Sequence, residues 1–515
     1  MIKRENWTAP SQPIWYVGNG MADLSKLSLD VKSDTPLYRQ LADSITRLIS
    51  DGTIQSGDRL PPTRELAIQL GLNRTTVAAA YANLEEAGLI RGHVGRGSFV
   101  AGPLPRSIAM GSHDNWEAIL PPPEVAISSA MPAASISFAS SRPSADAFPL
   151  EQFRRMSKEV IDSPEAAEIL QLGPTHGYQP LRRFLMAQAM DAGVARPGDD
   201  LIITNGCQQG LDLLARIFVS NKTPVAIEDP VYHGLVRVFA RAGAELLPVP
   251  VDQDGLNVEA LEETLERHRP RLLIVTPSFQ NPTGATLTLE RRKRVVSLAR
   301  RYGVVLVEND IYTELRYRGQ PLPALKELDE SGNTILLRSY SKVLFPGLRV
   351  GWTIAPRAVV GRLADAKQIS DLHSDQLSQA VLLRFTESGE LQKHVEKTRV
   401  AGEKKLQAAL GACKRCLPRG TSFTTPEGGL NLWIELPAPL TSDLLLTRVQ
   451  ERGVNFLPGR HFSAHGAHAR GLRISFGGLA PDQIRRGIEI LGECAKRELA
   501  FNEASSDHEA AAVLV

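Results

Sequence analysis

The sequence predicts a multidomain chain: a small, mainly α head ending in a β wing, then a large α/β body with a smaller α+β subdomain towards its C-terminus. Three observations predict it. Residues 36–100 show helical periodicity followed by a glycine-rich hairpin, residues 103–135 are rich in proline, and from residue 136 short apolar runs alternate with amphipathic stretches. With 515 residues and 43% hydrophobic content, the chain can bury more than one core. That content excludes collagen-like and disordered classes, and 4 Cys exclude a small disulfide-stapled scaffold. The 59 Lys+Arg against 57 Asp+Glu give a net charge of +2, so any affinity for nucleic acid has to be local.

Residues 1–35 read as an extension with little pattern. The opening segment has no apolar leader core, and no run approaches a membrane span, which places the expected chain in the cytoplasm. Leu37, Leu41, Ile45 and Leu48-Ile49 then recur at helical spacing and predict a helix over 37–50. Leu60-Pro61-Pro62 interrupts the chain, and Thr63 stands where it would cap a short helix ending near Leu70-Gly71. Asn73 is the cap of the next helix, striped by Val77, Ala80, Tyr81 and Leu84 and ending before Gly88. Leu89–Arg91 and Ser98–Val100, around Gly92, Gly95 and Gly97, predict two short strands. Three helices and a hairpin make residues 36–102 a winged helix-turn-helix.

Pro103, Pro105, Pro121–Pro123 and Pro132 make 103–135 a stiff linker with a poor core. Over 136–500, buried strands are expected at Leu201–Thr204, Val225–Ile227, Leu272–Thr276, Val304–Val307, Thr334–Leu337 and Val350–Ile354, with helices such as 208–218 and 290–301 between them. That alternation is the pattern of a mainly parallel sheet covered on both faces. Residues 385–500, with strand-like Leu430–Leu436 and Gly471–Phe476, form the smaller subdomain, and 501–515 a tail. Cys413 and Cys416 have metal-like spacing without a second pair, so a structural role is expected.

The run Leu60-Pro-Pro-Thr-Arg-Glu-Leu-Ala67, with Leu70-Gly-Leu-Asn-Arg-Thr-Thr-Val77, Tyr81 and Gly95-Arg-Gly-Ser-Phe-Val100, resembles the winged-helix domain of the GntR regulators. In such a pair the second helix enters the major groove with its N-terminal residues against base edges, where Arg74, Thr75 and Thr76 stand. Arg64 is placed for a backbone phosphate and Arg96, at the wing tip, for the minor groove or another phosphate. Val77 and Leu84 belong to the core.

The body resembles fold-type I, pyridoxal-phosphate-dependent aminotransferases through Ser339-Tyr-Ser-Lys342-Val-Leu-Phe-Pro-Gly-Leu-Arg349-Val-Gly-Trp352. The resemblance makes Lys342 the Schiff-base lysine, with Ser339, Ser341 and Arg349 neutralising the cofactor phosphate. Gly206, Cys207 and Gln208 open a helix whose free N–H groups would face that phosphate. By the same resemblance Tyr232 stacks on the pyridine, Asn281 and Tyr312 reach its phenolic oxygen, and Arg473 clamps a substrate or effector carboxylate. Two positions depart from the pattern. The family aspartate that keeps the pyridine nitrogen protonated falls on Asn309, followed by Asp310: either Asp310 makes the ion pair or an amide replaces it. Leu172 stands where many relatives place a tyrosine that touches the partner subunit's phosphate, with His176 or Tyr178 as neighbours that could substitute. The cluster Arg460-His461-Phe-Ser-Ala-His465-Gly-Ala-His468 lacks acidic or Cys companions, so no metal is expected.

Taken together, 36–102 and 136–500 resemble the MocR subfamily of GntR regulators. The resemblance implies a homodimeric transcription regulator that binds double-stranded operator DNA and senses pyridoxal phosphate or an amino-compound effector. A genuine aminotransferase with a DNA-binding appendage is the alternative, so physiological turnover stays open. Two-fold symmetry would pair half-sites or direct repeats.

Overall fold

The computed structural model describes residues 35–93, 97–101 and 134–512, with 24, 27, 29, 30 and 33 from the N-terminal extension. The chain separates into two compact units, Met1–Glu124 and Val125–Val515.

In the first unit, α1 (Leu37–Ser50) buries Leu41, Ile45 and Leu48 along one stripe. The next helix, α2 (Thr63–Leu70), starts one residue earlier than a Thr63 cap would require. Pro62, with ψ 142°, is the last non-helical residue, so Thr63 already lies inside the helix and its hydroxyl caps nothing. Gly71 ends α2 in the left-handed conformation at φ 63°. Asn73 caps α3 (Arg74–Glu86) by accepting from the Thr75 N–H at 3.2 Å. The Tyr81 hydroxyl donates to the Pro61 carbonyl at 2.8 Å, tying α3 to the turn before α2. The wing is an antiparallel pair, β1 (Ile90–His93) and β2 (Gly97–Val100). Leu24 is buried in this core with Leu27 and Leu29 packed beside it, a contribution from the extension that its sequence does not announce.

The second unit is built on an eight-stranded sheet. Its strands are β4 (Asp199–Thr204), β5 (Pro224–Asp229), β6 (Glu245–Asp252), β7 (Gly255–Leu256), β8 (Leu272–Val275), β9 (Val305–Asn309), β10 (Thr334–Ser339) and β11 (Gly351–Pro356). They lie in the order β4-β11-β10-β9-β8-β5-β6-β7. The five from β10 through β6 run parallel, whereas β11 is antiparallel to both neighbours. All six predicted strands are in this sheet. β6 was not legible, because Pro248 and Pro250 interrupt its apolar text; an outer strand tolerates prolines that a central one does not.

A second sheet, from β12 (Ser422–Phe423), β13 (Asn431–Glu435), β15 (Leu457–Pro458) and β16 (Gly471–Ser475), packs with helices Glu390–Cys416 and Pro481–Ala512. The final helix continues to Ala512, past the tail expected from residue 501, because its backbone hydrogen bonding runs on after the apolar repeat stops. One link runs back along the chain. β3 (Ile136–Ser137) pairs in parallel with β14 (Val454–Asn455), so the body's first strand belongs to its last subdomain. The described cysteines are all free, and no described helix is long and apolar enough to cross a membrane.

Candidate cofactor pocket and DNA-reading face

Strand ends and helix starts meet at one end of the large sheet, as expected for a mainly parallel α/β sheet. There Cys207, Gln208, Tyr232, Asn281, Asn309, Tyr312, Ser339, Ser341, Lys342 and Arg349 line a single pocket, with Leu211, Thr276 and Ile311 between them. Residues as far apart as 207 and 349 are brought together because β4, β9, β10 and β11 are neighbours.

One wall of the pocket starts at Gly206, whose φ of 76° sets the entry to helix Cys207–Phe218. A Cβ there would meet Arg349 Nη2 at 2.5 Å, so only glycine lets the guanidinium sit against the helix start. Arg349 Nη2 donates to the Asn205 carbonyl at 3.0 Å. The first N–H groups of an α-helix have no internal acceptor, and here they face a cation and two hydroxyls: a cradle for a dianion. The Ser339 and Ser341 hydroxyls are 2.8 Å apart, and the Ser341 N–H donates to Ser339 Oγ at 3.0 Å. From behind, Asp371 accepts from Asn205 Nδ2 at 2.7 Å and Gln209 Nε2 at 2.6 Å, and is held by Lys367 at 2.7 Å. Burial pushes the Cys207 thiol up to about 12, so it carries no thiolate here.

Lys342 follows β10, and its Nζ donates to the Ser141 carbonyl at 2.7 Å and lies 5.7 Å from the Tyr312 ring centre. The Tyr312 hydroxyl is 3.5 Å from Ser141 Oγ. Arg473, on β16, is buried; Nη1 donates to Asn281 Oδ1 at 3.0 Å and Nη2 to the Ala139 carbonyl. Its guanidinium lies over Phe462, and burial lowers its pKa to about 10, which leaves it cationic at neutral pH. Tyr232 packs its ring onto Gly234, where a Cβ would come within 2.5 Å. The arrangement therefore fits a flat, phosphorylated aldehyde. It offers a helix start beside a cation, one amine, an aromatic face and an amide and a phenol, with the buried Arg473 reaching it through its bond to Asn281.

Asn309 and Asp310 part company. Asn309 lines this pocket, whereas Asp310 faces the other side of the strand and pairs with Arg338 at 2.8 Å. Leu172 is exposed, and the Tyr178 N–H donates to Gln379 Oε1 at 2.8 Å. His176 is half-buried, and that burial lowers its pKa. His468 pairs with Asp229 at 3.2 Å and meets the Trp433 ring edge-on, while His461 is lowered by burial. No group of three metal-ligating side chains occurs among the described residues. Ser141, Ala139 and Thr276 were missed by sequence reasoning. The first two act through backbone carbonyls, which leave no trace in residue type.

In the head, Arg64 and Arg74 are exposed at the starts of α2 and α3, and Thr75 is exposed beside Arg74 with Thr76 half-buried. Arg96 lies outside the described residues.

Comparison with known proteins follows the same division. Residues 136–491 match aminotransferase class I and II, and residues 37–100 match the gntR family of bacterial regulatory proteins. The chain is 30% identical to the probable rhizopine catabolism regulatory protein MocR of Rhizobium meliloti, over 90% of this chain and 95% of that one. It is 36% identical to aromatic-amino-acid aminotransferase 1 of Thermococcus litoralis, over 71% of this chain and 88% of the relative. Among solved structures, the α-aminoadipate aminotransferase LysN of Thermus thermophilus, complexed with N-(5'-phosphopyridoxyl)-L-leucine, superposes with a TM-score of 0.67. It is 38% identical over 71% of this chain and 93% of that one.

Proposed function

The chain belongs to the aminotransferase class I and II family through its body and carries a gntR-type head, and from that premise we propose a pyridoxal-phosphate-dependent transcription regulator whose body senses an amino compound. The observation that carries the reading is the co-occurrence in one chain of a helix-turn-helix with exposed Arg74 and a pocket built around Lys342. Bound in that pocket, pyridoxal phosphate supplies an aldehyde that exchanges one amine for another. The remaining work belongs to the chain. Lys342 Nζ offers the resident amine, and Ser141 holds it in place. Cys207, Gln208, Ser339 and Ser341 hydrogen-bond the phosphate and Arg349 neutralises it, while Asn281 and Tyr312 hold the phenolic oxygen; the Gly206 N–H is taken by the Thr204 carbonyl at 2.7 Å, so that glycine only shapes the helix entry. Arg473 receives the effector's carboxylate, through an Nε that has no partner and beside an Nη2 that donates to the Ala139 carbonyl.

Homodimerisation is part of the proposal. Leu170, Leu172, Ile369 and Leu372 are exposed apolar side chains, and Gln376 brings their segments together by donating to the Ile169 and Gln171 carbonyls. A head whose residues 36–100 hold 7 Arg against 6 acidic residues gains most from a second, tethered copy.

Footprinting on DNA flanking the gene tests the reading, with and without pyridoxal phosphate and candidate amino acids. Protection of paired sites that changes with ligand is the expected outcome. An Arg74→Ala chain should bind the operator more weakly by about 1–3 kcal/mol if Arg74 meets a base edge. An identical footprint in every ligand state would leave a tethered enzyme as the better description.

A further inference from the structure

We propose that Asn309 is the partner of the cofactor's ring nitrogen and that its uncharged amide holds the ring in the unprotonated form, tuning the pocket to bind amines rather than to turn them over. The inference rests on the reading that this pocket holds pyridoxal phosphate, and deepens it.

Strand geometry supplies the first argument. Successive side chains along β9 point to opposite faces, and Asp310, the residue after its end, continues the ladder by donating to the Leu337 carbonyl at 2.9 Å, so Glu308 and Asp310 share one face and Asn309 takes the other. Asn309 lines the pocket with Lys342 and Tyr232, whereas Asp310 does not. Asp310 Oδ2 accepts from Arg338 Nη2 at 2.8 Å and Nε at 3.1 Å, and its unpartnered Oδ1 lies on that same side, away from the pocket that Lys342 lines.

The second argument is an unfilled hydrogen bond. Asn309 is 4% exposed; its Nδ2 donates to Thr276 Oγ1 at 3.4 Å, and its Oδ1 has no partner. A buried amide with one free end is built for a ligand. A threonine hydroxyl donates as readily as it accepts. The Thr276 hydroxyl also meets the Glu228 carboxyl, which keeps its proton and can donate to it; the hydroxyl can then donate to a turned amide, whose Nδ2–H meets a ring nitrogen that carries no proton.

The surroundings supply no substitute charge. On β5, Asp229 pairs with His468 at 3.2 Å. Glu228 accepts from the Thr276 N–H at 3.1 Å, and burial pushes its carboxyl up to about 8, so it is largely neutral at physiological pH. The charged side chains that line the pocket itself are Lys342, whose amine the cofactor aldehyde would take up, and Arg349, which would face the phosphate; neither supplies a negative charge to hold a proton on the ring.

The test is the nitrogen-15 chemical shift of ring-labelled pyridoxal phosphate bound to the full-length wild-type chain, recorded around neutral pH. The expected shift is that of an unprotonated pyridine. In Asn309→Asp the introduced carboxylate should raise the ring nitrogen's pKa by roughly 1–3 units, bringing the protonated shift into the neutral range. Single-turnover conversion of the bound cofactor by an amino acid should accelerate in the same variant. A wild-type ring found protonated at neutral pH would overturn the proposal by itself, whether or not the variant folds. If the labelled cofactor is not retained at all, the proposal falls together with the reading beneath it. Retention with the protonated shift sinks the proposal alone.

Discussion

A lysine and a glutamate show how far single residues set the chemistry of this body. Lys342 is held by a carbonyl from a segment 201 positions away in sequence, which fixes its amine at the pocket wall. Replacing it with alanine should abolish the visible absorption of cofactor-loaded protein; borohydride reduction followed by peptide mass analysis should label Lys342 and no other lysine in the wild type. Glu228 offers a pH readout. Its carboxyl rises from the ordinary 4.5 to about 8 through burial, so the folded chain retains a proton that the unfolded chain releases. Stability contributed by that retained proton is complete below 4.5 and is lost as pH rises through about 8. Glu228→Gln keeps an acceptor for Thr276 and cannot ionise. Its urea midpoint should therefore fall less than wild type's between about pH 6 and about pH 9.

At the level of elements, what was legible followed from periodicity. The helix expected over 37–50 is Leu37–Ser50, and Asn73 caps α3 as its position implies, since both patterns are local. The cap assigned to Thr63 failed because a proline on its N-terminal side fixes where helical dihedrals begin. β6 hid behind its prolines, and β3 behind the proline-rich text that precedes it. Motif order revealed which residues line the pocket, because their identities are chemical. Carbonyl partners at 139 and 141 stayed invisible, as any residue type can provide them. The helix start at Gly206 is where local geometry is most exacting. Gly351 passes so close that a Cβ on it would touch Gly206 at 2.8 Å. Gly206→Ala should strain the backbone by about 1–3 kcal/mol and push Arg349 aside. The measurable result is weaker cofactor binding in a fluorescence titration, with helix content unchanged.

For the molecule as a whole, sensing requires that ligand occupancy and DNA binding share one free energy. If the effector changes operator affinity by some factor, operator DNA must change effector affinity by the same factor. Calorimetric titration of effector into protein alone and into protein–operator complex measures that equality. Arg473→Ala should blunt the response to carboxylate-bearing effectors while leaving ligand-free operator binding near wild type.

The segment just after residue 133 bears on how such coupling could be transmitted. The Ala139 and Ser141 carbonyls accept hydrogen bonds from Arg473 and Lys342, the two groups that a bound ligand would claim for itself. Two residues earlier the same backbone is stitched into the small subdomain through β3 and β14. On the proposed reading, cofactor and effector would compete with the protein's own main chain, at the point where the covalent path from the head enters the body. Loading the pocket would then unfasten two clasps on that path. Amide hydrogen exchange across 134–143 should rise when both ligands are present and stay slow when either cation is left to its carbonyl.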